Sequence, residues 1–158
     1  MSTNPVFEHV ADAIQNEYLL TVAFASSDME TVNQHFGSSQ GFVVYGINEN
    51  EKQEITSITF PKEKKDGNED KLKPKLKWLV GCDLVYCGSV GGSATKQLIA
   101  LGAHPVVVKG GPDIEEVIEE LQQELGGELS PMLQRVFQLK KPRDENRFAE
   151  MDDEGWDE

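Results

Sequence analysis

The sequence predicts an α/β protein built on a mixed five-stranded β-sheet. Three β-type segments come first along the chain, at residues 19–25, 41–47 and 55–60. Two further short apolar segments, at 84–87 and 106–108, alternate with segments of helical pattern. Consecutive strands pair as an antiparallel meander, whereas strands separated by helices pair in parallel, so the two halves together predict a mixed sheet with helices packed on it.

Each predicted strand is a short apolar run bounded by polar or glycine-containing turns. Residues 19–25 form a compact apolar run that is typical of a buried strand, and residues 55–60 are rich in β-branched side chains. We expect the fourth strand to lie parallel beside the first, which gives the spatial order 3-2-1-4-5. That order is the ribonuclease-H-like arrangement.

The helices are predicted from apolar periodicity and from their start and stop residues. The strongest one opens at Asp113, which with Glu116 resembles a capping box. Its apolar stripe consists of Ile114, Val117, Ile118, Leu121 and Leu125. A last helix starts at Ser130 and Pro131 and is expected to end at Pro142.

A lysine-rich segment precedes the fourth strand. Residues 62–77 hold seven lysines against four acidic residues, and we interpret them as a solvated loop and helix face. Pro74 is tolerated only in the first turn of a helix, so this helix should start near residues 71–73.

The length and composition predict one globular domain in a reducing compartment. The chain has 158 residues and two cysteines, and no apolar run approaches the roughly 20 residues of a membrane span. We expect an N-terminal arm at 1–18, a folded domain at 19–142 and an acidic tail at 143–158. The predicted location is the cytoplasm, without a membrane partner.

The charge of the chain is strongly negative and unevenly distributed. The formal net charge is −13, and residues 113–158 alone hold 15 acidic against 5 basic residues. A chain of this balance repels a phosphate backbone, so we expect no nucleic-acid partner.

The predicted sheet order brings two unusual loops to one edge of the sheet. The loop after the first strand carries Ser26, Ser27, Asn33 and His35, and the loop after the fourth strand follows Cys87. This second loop contributes Gly88, Gly91, Gly92 and Ser93 just before a helix. A crevice at the carboxyl ends of such strands is the usual ligand site of an open α/β sheet, and a helix N-terminus there favours an anion.

His35 and Cys87 are the two candidate metal ligands, and each has a structural alternative. A neutral imidazole in a polar loop can bind iron, but it can equally hydrogen-bond the backbone. The Cys87 thiol could reach a ligand in the crevice, or it could be a buried core thiol. The glycine-rich loop matches neither a P-loop nor a dinucleotide fingerprint, and it is also consistent with a tight strand-to-helix turn.

Catalysis is not expected from these residues. A nuclease on this sheet would need several carboxylates converging on a pair of metal ions. The first strand has none in its interior, Asp28 lies past its end, and Asp83 lies at the opposite end of the fourth strand. No serine or cysteine nucleophile has a credible base either.

A series of short motifs runs from residue 19 to the end of the chain. It begins with the segments at 22–28 and 32–37, the second of which contains the His-Phe-Gly motif. Further segments of the same pattern are 67–72, 81–82, 85–87, 97–98 and the ending at 154–158. In these motifs the chain resembles the dinitrogenase iron–molybdenum cofactor biosynthesis family, and the ending narrows the resemblance to one branch of that family.

The resemblance implies a ribonuclease-H-like fold without nuclease activity and a carrier of metalloclusters in nitrogen fixation. Such a carrier binds an iron–sulfur precursor of the nitrogenase iron–molybdenum cofactor. It receives this cargo from the radical enzyme that builds it and passes it to the maturation scaffold. The family ties the histidine of the His-Phe-Gly motif to cofactor binding, which here is His35, with Cys87 as a further candidate. We expect a monomer when the carrier is free of cargo.

Two alternatives from other classes stay open. The protein could be an interaction module of nitrogenase assembly that holds no cluster, in which case His35 would be dispensable. It could instead be an anion- or nucleotide-binding domain that uses only residues 88–93.

Overall fold

The computed structural model describes residues 9–14, 17–60 and 72–144, the last five of them by their backbone alone. Most of the predicted N-terminal arm and most of the acidic tail lie outside these residues. The elements in chain order are α1 (Val10–Ala13), β1 (Leu20–Ala25), β2 (Gly41–Ile47), β3 (Lys52–Thr59), α2 (Leu72–Trp78), β4 (Leu84–Cys87), α3 (Gly92–Leu101), β5 (His104–Val107), α4 (Ile114–Leu125) and α5 (Pro131–Asp144).

The predicted strand order is confirmed. The five strands form one sheet in the order β3-β2-β1-β4-β5. The first three pair antiparallel, and β4 lies parallel to both β1 and β5. Because β1 and β4 run side by side in the same direction, their carboxyl ends meet at one edge of the sheet.

The three central strands, β2, β1 and β4, are buried on both faces of the sheet, and their side chains alternate between the faces. On one face Ala25, Val85 and Cys87 pack in a cluster that includes Leu76 of α2 and Leu98 of α3. Because both faces of β1 and β4 are covered, these two strands are apolar at nearly every position rather than at every second one.

An aromatic group occupies the other face. The ring of Phe24 stacks on Tyr86 with 5.4 Å between centroids, and its edge meets Tyr45 at 6.1 Å. Burial among apolar neighbours and the nearby carboxylates of Glu124 and Glu120 raise the pKa of Tyr86. The predicted apolar stripe of α4 is buried at Ile114, Val117, Ile118 and Leu121.

Several predicted boundaries are corrected. The strand β5 begins at His104, two residues before the predicted position. The reason is that the His104 N–H donates to the carbonyl of Asp83, the residue just before β4 (2.9 Å). Pro105 is acceptable there because β5 is an edge strand. Asp113 is the N-cap of α4, but its side chain makes no capping hydrogen bond. Helix α5 continues past Pro142 to Asp144.

The chain divides into two compact units, Met1–Gly126 and Gly127–Glu158. The second contains α5, which begins after Ser130 as predicted. The Ser130 hydroxyl accepts a hydrogen bond from the N–H of Leu133 (3.3 Å), and its carbonyl accepts one from Gln134 (2.9 Å). Within the described part of the chain, no helix has the length and apolarity needed to cross a membrane.

Candidate functional site

The site lies where the loop after β1 meets the loop after β4. We call residues 26–40 the first loop and residues 88–91 the second loop. The N–H of Gly88 donates to the carbonyl of Gln34, and the N–H of Phe36 donates to the carbonyl of Ser89, both over 2.8 Å. His35, between these two bonds, forms a parallel bridge with Ser89. The structure therefore brings together the two loops that the sequence placed at one edge.

His35 is exposed, and its ring is held from one side. Its Nδ1 atom forms a hydrogen bond with the hydroxyl of Ser89. Among the described residues, no hydrogen-bond partner reaches Nε2. Next along the chain, Phe36 is fully buried and contacts the ring of Phe42 at 5.6 Å between centroids. A buried aromatic residue beside an exposed imidazole anchors the loop while leaving one ring nitrogen available.

A hydrogen-bonded turn forms the start of the first loop. The carboxylate of Asp28 accepts from the N–H groups of Glu30 and Thr31 (2.9 and 2.8 Å) and from the buried hydroxyl of Ser26 (2.9 Å). These hydrogen bonds, the Glu30 N–H foremost, hold the pKa of Asp28 far below its usual range. The carboxylate is thus engaged in the turn itself.

Ser27 and Asn33 close the same loop by bonding to each other. The N–H of Ser27 donates to Asn33 Oδ1, and Asn33 Nδ2 donates to Ser27 Oγ, both over 3.0 Å. The predicted ligand contacts Ser26, Ser27 and Asn33 therefore do lie in one loop. In this structure their side chains shape the loop that presents His35.

The second loop leads into α3 through an uncapped turn. Gly91 is the N-cap of α3 and provides no side chain to bond its first N–H groups. A Cβ atom placed on Gly91 or Gly92 would meet nothing within 4 Å. Ser93, in the first turn, is exposed. The positive end of the helix dipole thus faces open space at the same edge as His35.

Cys87 differs from His35 in its surroundings. It is 0% exposed and belongs to the core cluster between the sheet and α2 and α3. Burial raises the pKa of its thiol to about 11, an effect only partly offset by a hydrogen bond from the backbone N–H of Ser89. The thiol is therefore protonated near neutral pH, whereas a metal ligand must be a thiolate. The structure does not bring the two predicted metal ligands to one exposed surface.

Two residues of the site are not predicted from the sequence patterns. Ser89 lies inside the second loop, where the pattern indicates only the neighbouring glycines and Ser93. The lysine-rich pattern predicts a solvated position for Lys75, yet this residue is 1% exposed and its Nζ donates to the carbonyl of Gly37 (2.8 Å). Its spacing from Leu72 and Leu79, by three and four positions, was the available signal, because that spacing puts Lys75 beside the apolar stripe.

The candidate site has few side chains that could bind a metal ion. In the residues that the structure describes, no group of three or more His, Cys, Asp or Glu side chains is placed to hold a metal ion. Asp83 is too far along the sheet to join a cluster of carboxylates of the nuclease type at this site. Its carboxylate accepts a hydrogen bond from the N–H of Thr21 at the amino end of β1 (2.9 Å), whereas the site lies at the carboxyl end.

Comparison with known proteins identifies the family of the chain. The family model described as "Dinitrogenase iron-molybdenum cofactor" matches residues 19–124. "Protein NifX" of Azotobacter vinelandii is 46% identical over 149 residues, which cover 94% of each chain. "Protein NifX" of Rhodobacter capsulatus is 38% identical over 75% of this chain and 77% of its own, and that of Herbaspirillum seropedicae is 31% identical over 80% and 88%. The chain therefore belongs to the dinitrogenase iron–molybdenum cofactor family.

Proposed function

We propose that this protein takes part in biosynthesis of the nitrogenase iron–molybdenum cofactor by carrying an iron–sulfur precursor between assembly proteins. One observation supports this most: His35, in the His-Phe-Gly motif of a family member, is exposed with Nε2 unpartnered among the described residues. The precursor is cargo in this proposal, and no catalytic step is assigned to the chain.

A single imidazole suits a carrier because the cargo has to be released again. Imidazole nitrogen is a good ligand for iron, while permanent cluster sites usually enclose the metal with four ligands, most often cysteines. Here His35 is the ligand we propose. The predicted role of Cys87 as a second ligand stays a prediction, and the burial of its thiol does not support it.

The uncapped start of α3 provides a complementary electrostatic contact. An iron–sulfur precursor is an anion, and backbone N–H groups at a helix N-terminus attract anions without adding a tight ligand. The glycines Gly91 and Gly92 leave room for a bulky group to approach. In this proposal the helix end and His35 share the cargo, so neither has to bind it strongly.

The proposed exchange takes place in the cytoplasm. The donor is the radical enzyme that builds the precursor, and the acceptor is the scaffold that matures it. The free carrier is proposed to be a monomer.

The test is an anaerobic titration of the purified protein with the isolated precursor. Wild type, His35→Ala and His104→Gln are followed by visible absorption and by co-elution of iron. His104 is the matched control, because it pairs with Leu84 at the amino end of β4, whereas the site lies at the carboxyl end. We expect binding in wild type and His104→Gln and loss of binding in His35→Ala. Equal binding by all three proteins would reject His35 as the ligand.

A protein-interaction module without a cluster is the second candidate. It is favoured by the sparse donor set, since Cys87 is buried and no described group of three ligand side chains exists. This candidate predicts that the protein stays colourless in the titration and that its association with assembly proteins is the same in wild type and His35→Ala.

A further inference from the structure

We infer that His35 binds its ligand through Nε2, that Ser89 is the positioning residue that enforces this choice, and that Gly37 keeps the space beside Nε2 open. The inference rests on the proposed function and specifies which of the two ring nitrogens of His35 binds the cargo. It comes from the placement of the second loop and from the space around the imidazole.

Ser89 is placed to hold the ring by both its backbone and its side chain. The bond from the Phe36 N–H to the Ser89 carbonyl and the bond from the Gly88 N–H to Gln34 lie on either side of His35. They fix the imidazole beside the Ser89 hydroxyl, which bonds to Nδ1. Nδ1 is thereby occupied, and Nε2 is the nitrogen left for a ligand.

This arrangement determines which nitrogen of the neutral His35 ring carries the proton. A metal binds an unprotonated ring nitrogen, so coordination through Nε2 requires the proton of the neutral imidazole to be on Nδ1. The Ser89 hydroxyl oxygen is the acceptor for that proton. A hydroxyl can accept from Nδ1 and still donate its own hydrogen to water, so Ser89 can play this part without an unsatisfied group.

Gly37 has no conformational reason to be glycine. Its φ does not lie in the left-handed region that favours glycine. A Cβ atom built on it would lie 3.6 Å from Nε2 and 3.7 Å from Cδ2 of His35, which are ordinary contact distances. Alanine therefore fits the fold, but its methyl group would lie next to the nitrogen that has to form a metal bond of about 2 Å. Gly37 thus leaves the approach to Nε2 free.

The first test needs no cargo. Two-bond ¹H–¹⁵N NMR spectra of the neutral imidazoles report which nitrogen of each of the three histidines carries the proton. We expect the Nδ1–H form for His35 in wild type, a shift toward Nε2–H in Ser89→Ala, and the wild-type form again in Ser89→Thr. A wild-type His35 in the Nε2–H form, or no change in Ser89→Ala, would overturn the role of Ser89.

The second test uses the isolated precursor. Ser89→Ala should weaken its binding by about 10–100-fold, the range found when an outer partner of a metal ligand is removed. Gly37→Ala should also lose binding while keeping the wild-type ring tautomer and unfolding midpoint. The control is Ser38→Ala, an exposed neighbour, which should bind like wild type. Undiminished binding by Gly37→Ala would overturn the assignment to Nε2.

The two tests separate this inference from the proposed function. If wild type binds no precursor, the proposed function fails and the metal-binding part of the inference fails with it, while the NMR result still decides the role of Ser89. If wild type binds but Ser89→Ala and Gly37→Ala bind equally well, the proposed function stands and the inference fails.

Discussion

The ammonium group of Lys75 donates a hydrogen bond to the carbonyl oxygen of Gly37 over 2.8 Å, although the two residues are 38 positions apart. Lys75 is 1% exposed, and its Nζ also lies 5.5 Å from the centroid of the Phe60 ring. A buried cation is costly unless it is paired or hydrogen-bonded. The His-Phe-Gly segment is therefore hydrogen-bonded to α2 through Lys75 and to the second loop through Ser89.

Replacing Lys75 by methionine should loosen the first loop. Methionine keeps much of the side-chain volume but cannot donate to the Gly37 carbonyl. We expect hydrogen exchange at the N–H groups of Phe36 and Ser39 to accelerate about tenfold, the equivalent of the net contribution of one hydrogen bond. The measurement is NMR-detected amide exchange on the full chain. Lys77→Met, at an exposed position of the same helix, is the control and should leave these rates unchanged.

Cys87 should prove to be a core residue rather than a ligand. Because burial raises the pKa of its thiol to about 11, we expect iodoacetamide to label it far more slowly in the native protein at pH 7.5 than in urea. Cys87→Ala should lose about 1–2 kcal/mol of stability through the missing sulfur atom. Labelling is read by mass spectrometry and stability by denaturant unfolding.

The same variant decides the predicted ligand role of Cys87. We expect Cys87→Ala to bind the isolated precursor with the wild-type affinity, measured under conditions in which it is fully folded. A folded Cys87→Ala protein that fails to bind would establish the thiol as a ligand and would require the core to open around it.

The turn at Asp28 should make stability depend on pH in a defined direction. Its pKa is lowered in the folded state, and the unfolded value is about 3.8. A lowered folded pKa contributes stability that is fully present above the unfolded pKa and is lost as the pH falls below it. The difference in unfolding free energy between wild type and Asp28→Asn should therefore be constant above about pH 5 and shrink below pH 4. Urea unfolding of both proteins at several pH values measures this difference. A difference in unfolding free energy that stays the same down to pH 3 would contradict the lowered pKa of Asp28 in the folded state.

Ser27 and Asn33 should behave as one unit. Within the described part of the chain, their side chains are joined by two reciprocal hydrogen bonds of 3.0 Å. We expect Ser27→Ala and Asn33→Ala each to weaken precursor binding modestly, and the double variant to lose little more than Asn33→Ala alone. Asn50→Ala, in the turn between β2 and β3, serves as the control. Fully additive losses would show that each side chain contacts the cargo separately.

The strand order and the meeting of the two loops could be predicted because they depend on local patterns and on general rules of chain connection. Short apolar runs separated by turns identify the strands, and alternation with helices makes the later ones parallel. Once β4 lies beside β1, the loops that contain His35 and Ser89 have to meet at one edge. The apolar stripe of α4 and the start of α5 after Ser130 are also predicted correctly, because both depend on local sequence patterns.

The contacts within the candidate site depend on long-range packing and have no signature in the local sequence. Whether Cys87 faces the crevice or the core depends on which side of β4 its side chain takes, and its pairing in the sheet directs it to the cluster with Val85 and Leu98. The hydrogen bond from Lys75 to Gly37 and the hydrogen bond between His35 and Ser89 join residues 38 and 54 positions apart. Such partners share no local pattern, because their distance is set by how α2 and the second loop pack against the sheet. Residue types and spacing in the sequence predicted His35 and Cys87 as candidate ligands, whereas packing leaves Nε2 of His35 without a partner among the described residues and encloses the thiol of Cys87.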